Sequence, residues 1–212
     1  MAVKITEEML LKLRSRVTAD MSPKRARHTL EVEKMAERLC AMFCPEQTDK
    51  MRAAALLHDV TKEYTLEGHL EICKRYGLSV TEREICSPKT FHARTAAAII
   101  PENYGEFADE EIILAVRYHT TGREGMTLTE KIIYLADYID MSRTFEDCVR
   151  LREYFFGAEP EKMSEEDRLV HLDKTIVMSY DMTVSGLMAE GAPISEETFK
   201  SRNELILKLR KA

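Results

Sequence analysis

Apolar residues in this chain recur at every third or fourth position, and glycine and proline fall mostly between the periodic segments. β-Branched runs of period two are missing. A 3.6-residue period buries one face of a helix and cannot line one face of a strand, so the sequence predicts an all-α fold. An amphipathic helix is expected from Ile5 to about Ala19, with Met9, Leu10 and Leu13 on one side. Ser22-Pro23 offers a hydroxyl cap followed by proline at the first helical position. The helix it opens carries His28, Val32, Met35 and Leu39 on one stripe. Asp49 is a candidate cap for a helix through KMRAAALLHDVTK, ending near Lys62, whose alanines let a neighbour come close. Thr65 to Tyr76 reads as a helix stopped by Gly77, and Thr81 to Cys86 as a short helix or turn. Ser87-Pro88 repeats the cap-plus-proline start, placing His92, Ala96 and Ile99 on one face before Pro101 ends the helix. Asp109, Glu110 and Glu111 open the next helix with charge that suits its dipole; Ile112, Ala115, Val116 and His119 share its stripe, and Gly122 follows. Thr127-Leu-Thr-Glu130 is a capping box before the apolar run KIIYLADYID. Two or three further helices follow, the last starting within Pro193 to Glu197. With no repeat, low-complexity tract or linker, the chain reads as one domain over residues 1–212, its core at about 22–145 and its C-terminal helices, about 146–212, packing on that core.

Composition narrows the function classes. The net charge of −6 argues against a nucleic-acid partner, which requires a basic excess. No window approaches the ~20 apolar residues of a membrane span, and MAVKITEEML lacks the apolar segment of a signal peptide. The five cysteines, an odd number without a CxxC pair, read as reduced and mostly buried. A cytoplasmic protein is expected. Cys40 and Cys44, one turn apart, read as small core residues.

Six residues carry the chemistry: His28, the adjacent pair His58-Asp59, His92, His119 and Asp137. Asp137 sits inside IIYLADYI and Asp59 follows AAALLH. A carboxylate is costly to bury among such neighbours unless it is paired or binds a cation. Carboxylates and imidazoles converging from several helices satisfy one another by sharing a metal, and that donor set suits iron, manganese, zinc or cobalt better than calcium. Each histidine alone is more often a hydrogen-bonded core residue, and Asp137 alone could be an arginine's buried partner.

The order H…HD…H…H…D on successive helices resembles the HD superfamily of metal-dependent phosphohydrolases. The closer resemblance is to its YqeK-type branch, the symmetrical diadenosine tetraphosphate hydrolases of bacteria. It is carried by RARHTLEVEKMAERLC, AALLHDVTKEY, FHARTAAAI, RYHTTGREGMTLTEKIIYLADYID and SRNELILKL, so it spans about Arg25 to Leu209. The most specific piece is HTTGREGMTLTEKIIYLADYID with Arg143 close behind. Two departures stand out. The family commonly has glutamate and proline after its ADYI segment, where this chain has Asp140-Met141-Ser142-Arg143. It usually has alanine before the lysine that follows the HD pair, where this chain has Val60-Thr61-Lys62.

The resemblance implies a helical HD-domain bundle holding one or two divalent ions, iron first, with manganese, cobalt or zinc as alternatives. It assigns the metal to His28, His58, Asp59 and Asp137, and places His92 and His119 at the phosphates or a second ion. It implies a small-molecule dinucleoside polyphosphate as substrate, diadenosine tetraphosphate cut to two ADP by metal-activated water, and is compatible with a homodimer. Basic residues lie where a polyphosphate would need them: Arg25, one turn before His28; Lys62, three residues after Asp59; Lys89, three before His92; and Arg143. The expected catalytic groups are Asp59, Lys62 and His119, the last protonating the leaving oxygen or binding a phosphate. Tyr138 and Tyr180 are candidates for stacking on a base, against a default of burial. Competing readings are another HD-type nucleotidase or deoxynucleotide hydrolase, a nucleotide-binding sensor without turnover, and a plain helical scaffold.

Overall fold

The computed structural model describes residues 4–211, and for Arg83 the backbone alone. Among the described residues the regular elements are all helical. They are α1 (Glu7–Ala19), α2 (Pro23–Phe43), α3 (Thr48–Leu57), α4 (Leu66–Arg75), α5 (Glu82–Ile85), α6 (Phe91–Asn103), α7 (Glu110–Tyr118), α8 (Leu128–Ile139), α9 (Glu146–Gly157), α10 (Glu165–Ala189) and α11 (Glu196–Leu209), joined in places by single 3-10 turns. Among the described residues no helix is long and apolar enough to cross a membrane.

The caps expected from the sequence set most of the helix starts. Ser22, Thr65 and Asp109 accept from backbone N–H groups at the heads of α2, α4 and α7, and Thr127 with Glu130 closes a complete capping box on α8. Some boundaries differ from expectation, among them the start of α6 at Phe91 instead of at Pro88. Asp49 lies inside the first turn of α3, preceded by Gln47 at the cap position. α3 stops at Leu57 instead of running to Lys62, because residues 59–64 tighten into i→i−3 turns such as Lys62 N–H to Asp59 C=O at 2.9 Å. Pro101 lies within the last turn of α6, where the one hydrogen bond it forfeits costs little and Tyr104 N–H still closes on Ile100 C=O at 2.8 Å.

The alanine-rich α3 packs centrally against α2, α7, α8 and α1. Met51, Ala53, Ala54, Ala55, Leu56 and Leu57 are all fully buried, so helices on either side of α3 come close. The stripe His28, Val32, Met35, Leu39 of α2 faces this centre. One continuous apolar core runs from Ile5 to Leu205, taking in Leu151, Phe155, Leu172, Ile176 and Tyr180 of the C-terminal helices. Charged pairs reinforce it: Lys131 on α8 and Lys208 on α11 both bind the buried Asp173 of α10, at 2.6 and 2.7 Å. Four of the five cysteines are buried, and Cys40 and Cys44 sit in the core with their sulfurs 3.9 Å apart.

Candidate metal centre

The heart of the bundle is polar. His28 on α2, His58 and Asp59 at the end of α3, His92 on α6, His119 at the end of α7 and Asp137 on α8 converge there. Nε2 of His28 lies 3.0 Å from Oδ1 of Asp137, and Nε2 of His58 lies 3.7 Å from the same oxygen. Asp59 faces two groups with its two oxygens. Oδ2 is 3.3 Å from His58 and 3.6 Å from His28; Oδ1 is 3.3 Å from His92 and 3.8 Å from His119. Nε2 atoms of His92 and His119 are 3.0 Å apart, with the Thr120 hydroxyl 3.1 Å from both.

Local backbone aims these rings. Nδ1 of His58 lies 2.6 Å from the Ala55 carbonyl and Nδ1 of His119 lies 2.7 Å from the Val116 carbonyl, each three residues back. A carbonyl only accepts, so each ring carries its proton on Nδ1 and turns an Nε2 lone pair to the centre. The short turn after α3 is fixed from both sides. Thr61 Oγ1 donates to the His92 carbonyl at 2.9 Å and meets Thr95 Oγ1 at 2.9 Å. Glu63 accepts from the backbone and hydroxyl of Ser22, at 2.8 and 2.5 Å. The threonine that departs from the family pattern thus ties the HD turn to α6.

Burial and charge set the protonation states. Burial pushes His119 down to about 4. Burial, then Lys62 and His119, hold His92 well below the usual imidazole range. Both rings are therefore neutral near pH 7, which suits an electron-pair donor and not a proton donor. Burial opposes charge on His28 as well, but the carboxylates of Asp137 and Asp140 outweigh it and lift the ring to about 9. Burial likewise opposes ionised Asp59 and Asp137. The adjoining His58 and the ammonium of Lys62 overcome it for Asp59, and Arg143 followed by His28 for Asp137, so both lie well below the usual carboxylate range.

The donors fit a divalent cation. His28, His58 and Asp137 offer ligand atoms within 4.8 Å of one another, and so do His58, Asp59 and His119. His58 Nε2 and Asp59 Oδ1 are buried without a hydrogen-bond partner, an expensive arrangement that a shared cation relieves. Imidazole with carboxylate is a transition-metal donor set.

The basic residues divide. Arg25 binds Asp59 Oδ2, and Arg143 binds both Oδ1 and the main-chain carbonyl of Asp137. Lys62 brings its ammonium within 3.1 Å of His92 Nε2. Lys89 stays outside: its side chain is 83% exposed and its nearest charge is Glu190, at 3.8 Å. The face-sharing expected three residues before His92 fails because residues 88–90 form a 3-10 turn and α6 begins only at Phe91. Tyr180 is fully buried and hydrogen-bonded to Ser201 at 2.8 Å, so it offers no stacking surface; Tyr138 is half-buried.

Sequence reasoning missed the support around the ligands. Asp140, fully buried, lies 3.2 Å from His28 Nδ1 and accepts from the Ser142 N–H at 2.7 Å and from its hydroxyl. Arg152 of α9 holds this turn by donating to the carbonyls of Ile139 at 2.7 Å, of Asp140, and of Arg143 at 2.8 Å. A second aspartate three residues after Asp137 was the available signal.

Comparison with known proteins agrees with this geometry. Residues 25–142 match the HD domain model. The chain is 33% identical over 182 residues to a Staphylococcus aureus protein named symmetrical bis(5'-nucleosyl)-tetraphosphatase, covering 85% of this chain and 86% of the relative. A Bacillus subtilis protein of the same name is 32% identical over 179 residues, 84% of this chain and 88% of that one. Among solved structures, a Clostridium acetobutylicum protein described as a predicted HD superfamily hydrolase involved in NAD metabolism superposes with a TM-score of 0.80 at 32% identity, over 93% of this chain and 96% of that one. The order of ligands along the helices, their convergence and these matches lead to one statement: this chain belongs to the HD domain family.

Proposed function

We propose that this protein is a metal-dependent phosphohydrolase that cuts diadenosine tetraphosphate symmetrically into two ADP. The observation that carries the reading is the meeting of His28, His58, Asp59 and Asp137 at one buried point beside Arg25, Lys62 and Arg143. It is supported by the names of the Staphylococcus and Bacillus relatives. Those four residues would hold a divalent cation, which when bound polarises water and phosphate oxygen as a Lewis acid. We name iron, in keeping with the family resemblance and the imidazole–carboxylate set; manganese, cobalt and zinc suit the same donors. The two faces of Asp59, one toward His28 and His58 and one toward His92 and His119, support a second ion on the His92–His119 side.

The remaining chemistry belongs to the side chains. Asp59, ionised and held by Arg25, orients the attacking water. Arg143 and Lys62 offer N–H donors to phosphate oxygens and neutralise charge as it moves onto the leaving diphosphate. The neutral rings of His92 and His119 serve as ligands or acceptors and deliver no proton. ADP is a fair leaving group, so the reaction needs no strong acid at that position. Free, mostly buried cysteines support a cytoplasmic setting.

The test is product analysis. Purified protein with iron or manganese should convert diadenosine tetraphosphate to ADP alone, and Asp137→Ala should lower the rate by at least about a thousand-fold through loss of a ligand. ATP with AMP as products, or full activity in Asp137→Ala, would overturn the reading.

A further inference from the structure

The centre reaches the surface beside two arginines. His58, Asp59, His92 and His119 are buried almost completely, whereas Asp137 is 16%, Arg25 23% and Arg143 29% exposed. A long substrate brings its phosphates in past these arginines, and a nucleoside on the Arg143 side comes to rest outside, beside the turn that carries this residue. Two apolar side chains stand on that turn. Met141 is exposed, and Phe145, at 69%, is the most exposed large apolar side chain among the described residues. Phe145 is two residues beyond Arg143, so their Cα atoms are at most about 7 Å apart.

The backbone under Phe145 is held firmly. Arg152 binds three carbonyls of residues 139–143, Asp140 accepts from Ser142, and α9 starts directly after Phe145 at Glu146. An aromatic ring on an immobilised turn loses little freedom when a flat ligand settles on it. Met188 and Leu207, also exposed, lie on α10 and α11 and carry no such link to the centre, and Tyr64, two residues after Lys62, is less exposed at 50%. A hollow of about 740 Å³ lies between α6, α7 and the start of α11, and its arginines, Arg94 and Arg117, already face Glu84 and Glu197.

The geometry points to Phe145, flanked by Met141, as a stacking platform for one purine base of the dinucleotide at the mouth of the centre. The inference rests on the phosphohydrolase reading and adds a residue that sets affinity for the nucleoside. Stacking needs only a π-face, so the platform recognises a purine without hydrogen bonds to its edge. Phosphates reach Arg143 while the base lies over the ring, and Met141 supplies a polarisable side wall.

Phe145→Ala should raise KM for diadenosine tetraphosphate by about ten-fold, the scale of one lost stacked base, with a smaller change in kcat. Phe145→Tyr should restore KM. Inhibition by inorganic pyrophosphate, which has no base, should be the same in wild type and Phe145→Ala. The chain has no tryptophan, so Phe145→Trp installs a single fluorophore, which ADP should quench and pyrophosphate should not. Active wild type with an unchanged KM in Phe145→Ala, or a Phe145→Trp signal indifferent to ADP at concentrations that inhibit turnover, overturns the platform and leaves the hydrolase reading intact. A wild type that releases no ADP from the dinucleotide overturns both.

Discussion

Gly122 closes the segment that follows His119 and Thr120, and replacing it with alanine should unfold the protein more readily by an amount the structure fixes. Its φ is +64°, a conformation that costs an L side chain about 1–2 kcal/mol. A Cβ placed there would meet Tyr180 Oη at 1.8 Å, Tyr180 Cζ at 2.9 Å and Ser201 Oγ at 3.2 Å. Tyr180 cannot swing aside, being fully buried between Tyr134 and Ser201. Overpacking of this kind costs about 1–3 kcal/mol, and displacing the Tyr180–Ser201 hydrogen bond adds about 1 kcal/mol. The sum for Gly122→Ala is about 3–6 kcal/mol, read from urea unfolding midpoints at constant slope. A double-mutant cycle separates the contributions. Tyr180→Phe removes the oxygen at 1.8 Å and leaves the backbone cost, so Gly122→Ala should cost about 1–2 kcal/mol less in that background. An equal cost in both backgrounds, or a cost below about 1 kcal/mol in the first, would refute the steric argument.

Two further outcomes follow from the support around the centre. Asp140→Asn should leave the fold intact and weaken metal retention by about 10–100-fold, measured by competition with a chelator, because the carboxylate next to His28 Nδ1 orients and enriches that ring. His69 should govern part of the acid side of the stability profile. Burial, then the charge of Lys62, put its folded pKa below the ordinary 6.5, so the unfolded chain takes up its proton first. Its contribution is present above pH 6.5 and is lost as pH falls from there toward the folded value. His69→Gln, which can still reach Thr95, should flatten the fall in urea stability below pH 6.5 relative to wild type, and parallel curves would count against it.

The helical class and the inward-facing ligands were legible because one rule governs both. A polar residue in phase with an apolar stripe must face the core, and His28, His92 and Asp137 all obey it. The limits of the helices were less legible. No glycine or proline marks the stop of α3 at Leu57; bonds from Thr61 to α6 and from Glu63 to Ser22 hold that turn, and both partners are remote in sequence. The three-residue spacing of Lys89 from His92 does not bring it to the centre, because a 3-10 turn lies between them. Arg152 was invisible for a related reason. Its targets are backbone carbonyls, and a sequence does not reveal which carbonyls a helix end leaves unfilled.

Arg152 also bears on how such a protein could change its ligand. The shape of the 139–143 segment is held by a guanidinium from another helix together with the inward-facing Asp140, Ser142 and Arg143. Met141, Thr144 and Phe145 point outward from it. Substitution at these three sites would redecorate the entrance while the acids behind it hold station, so new preferences could be tried out without dismantling the chemistry.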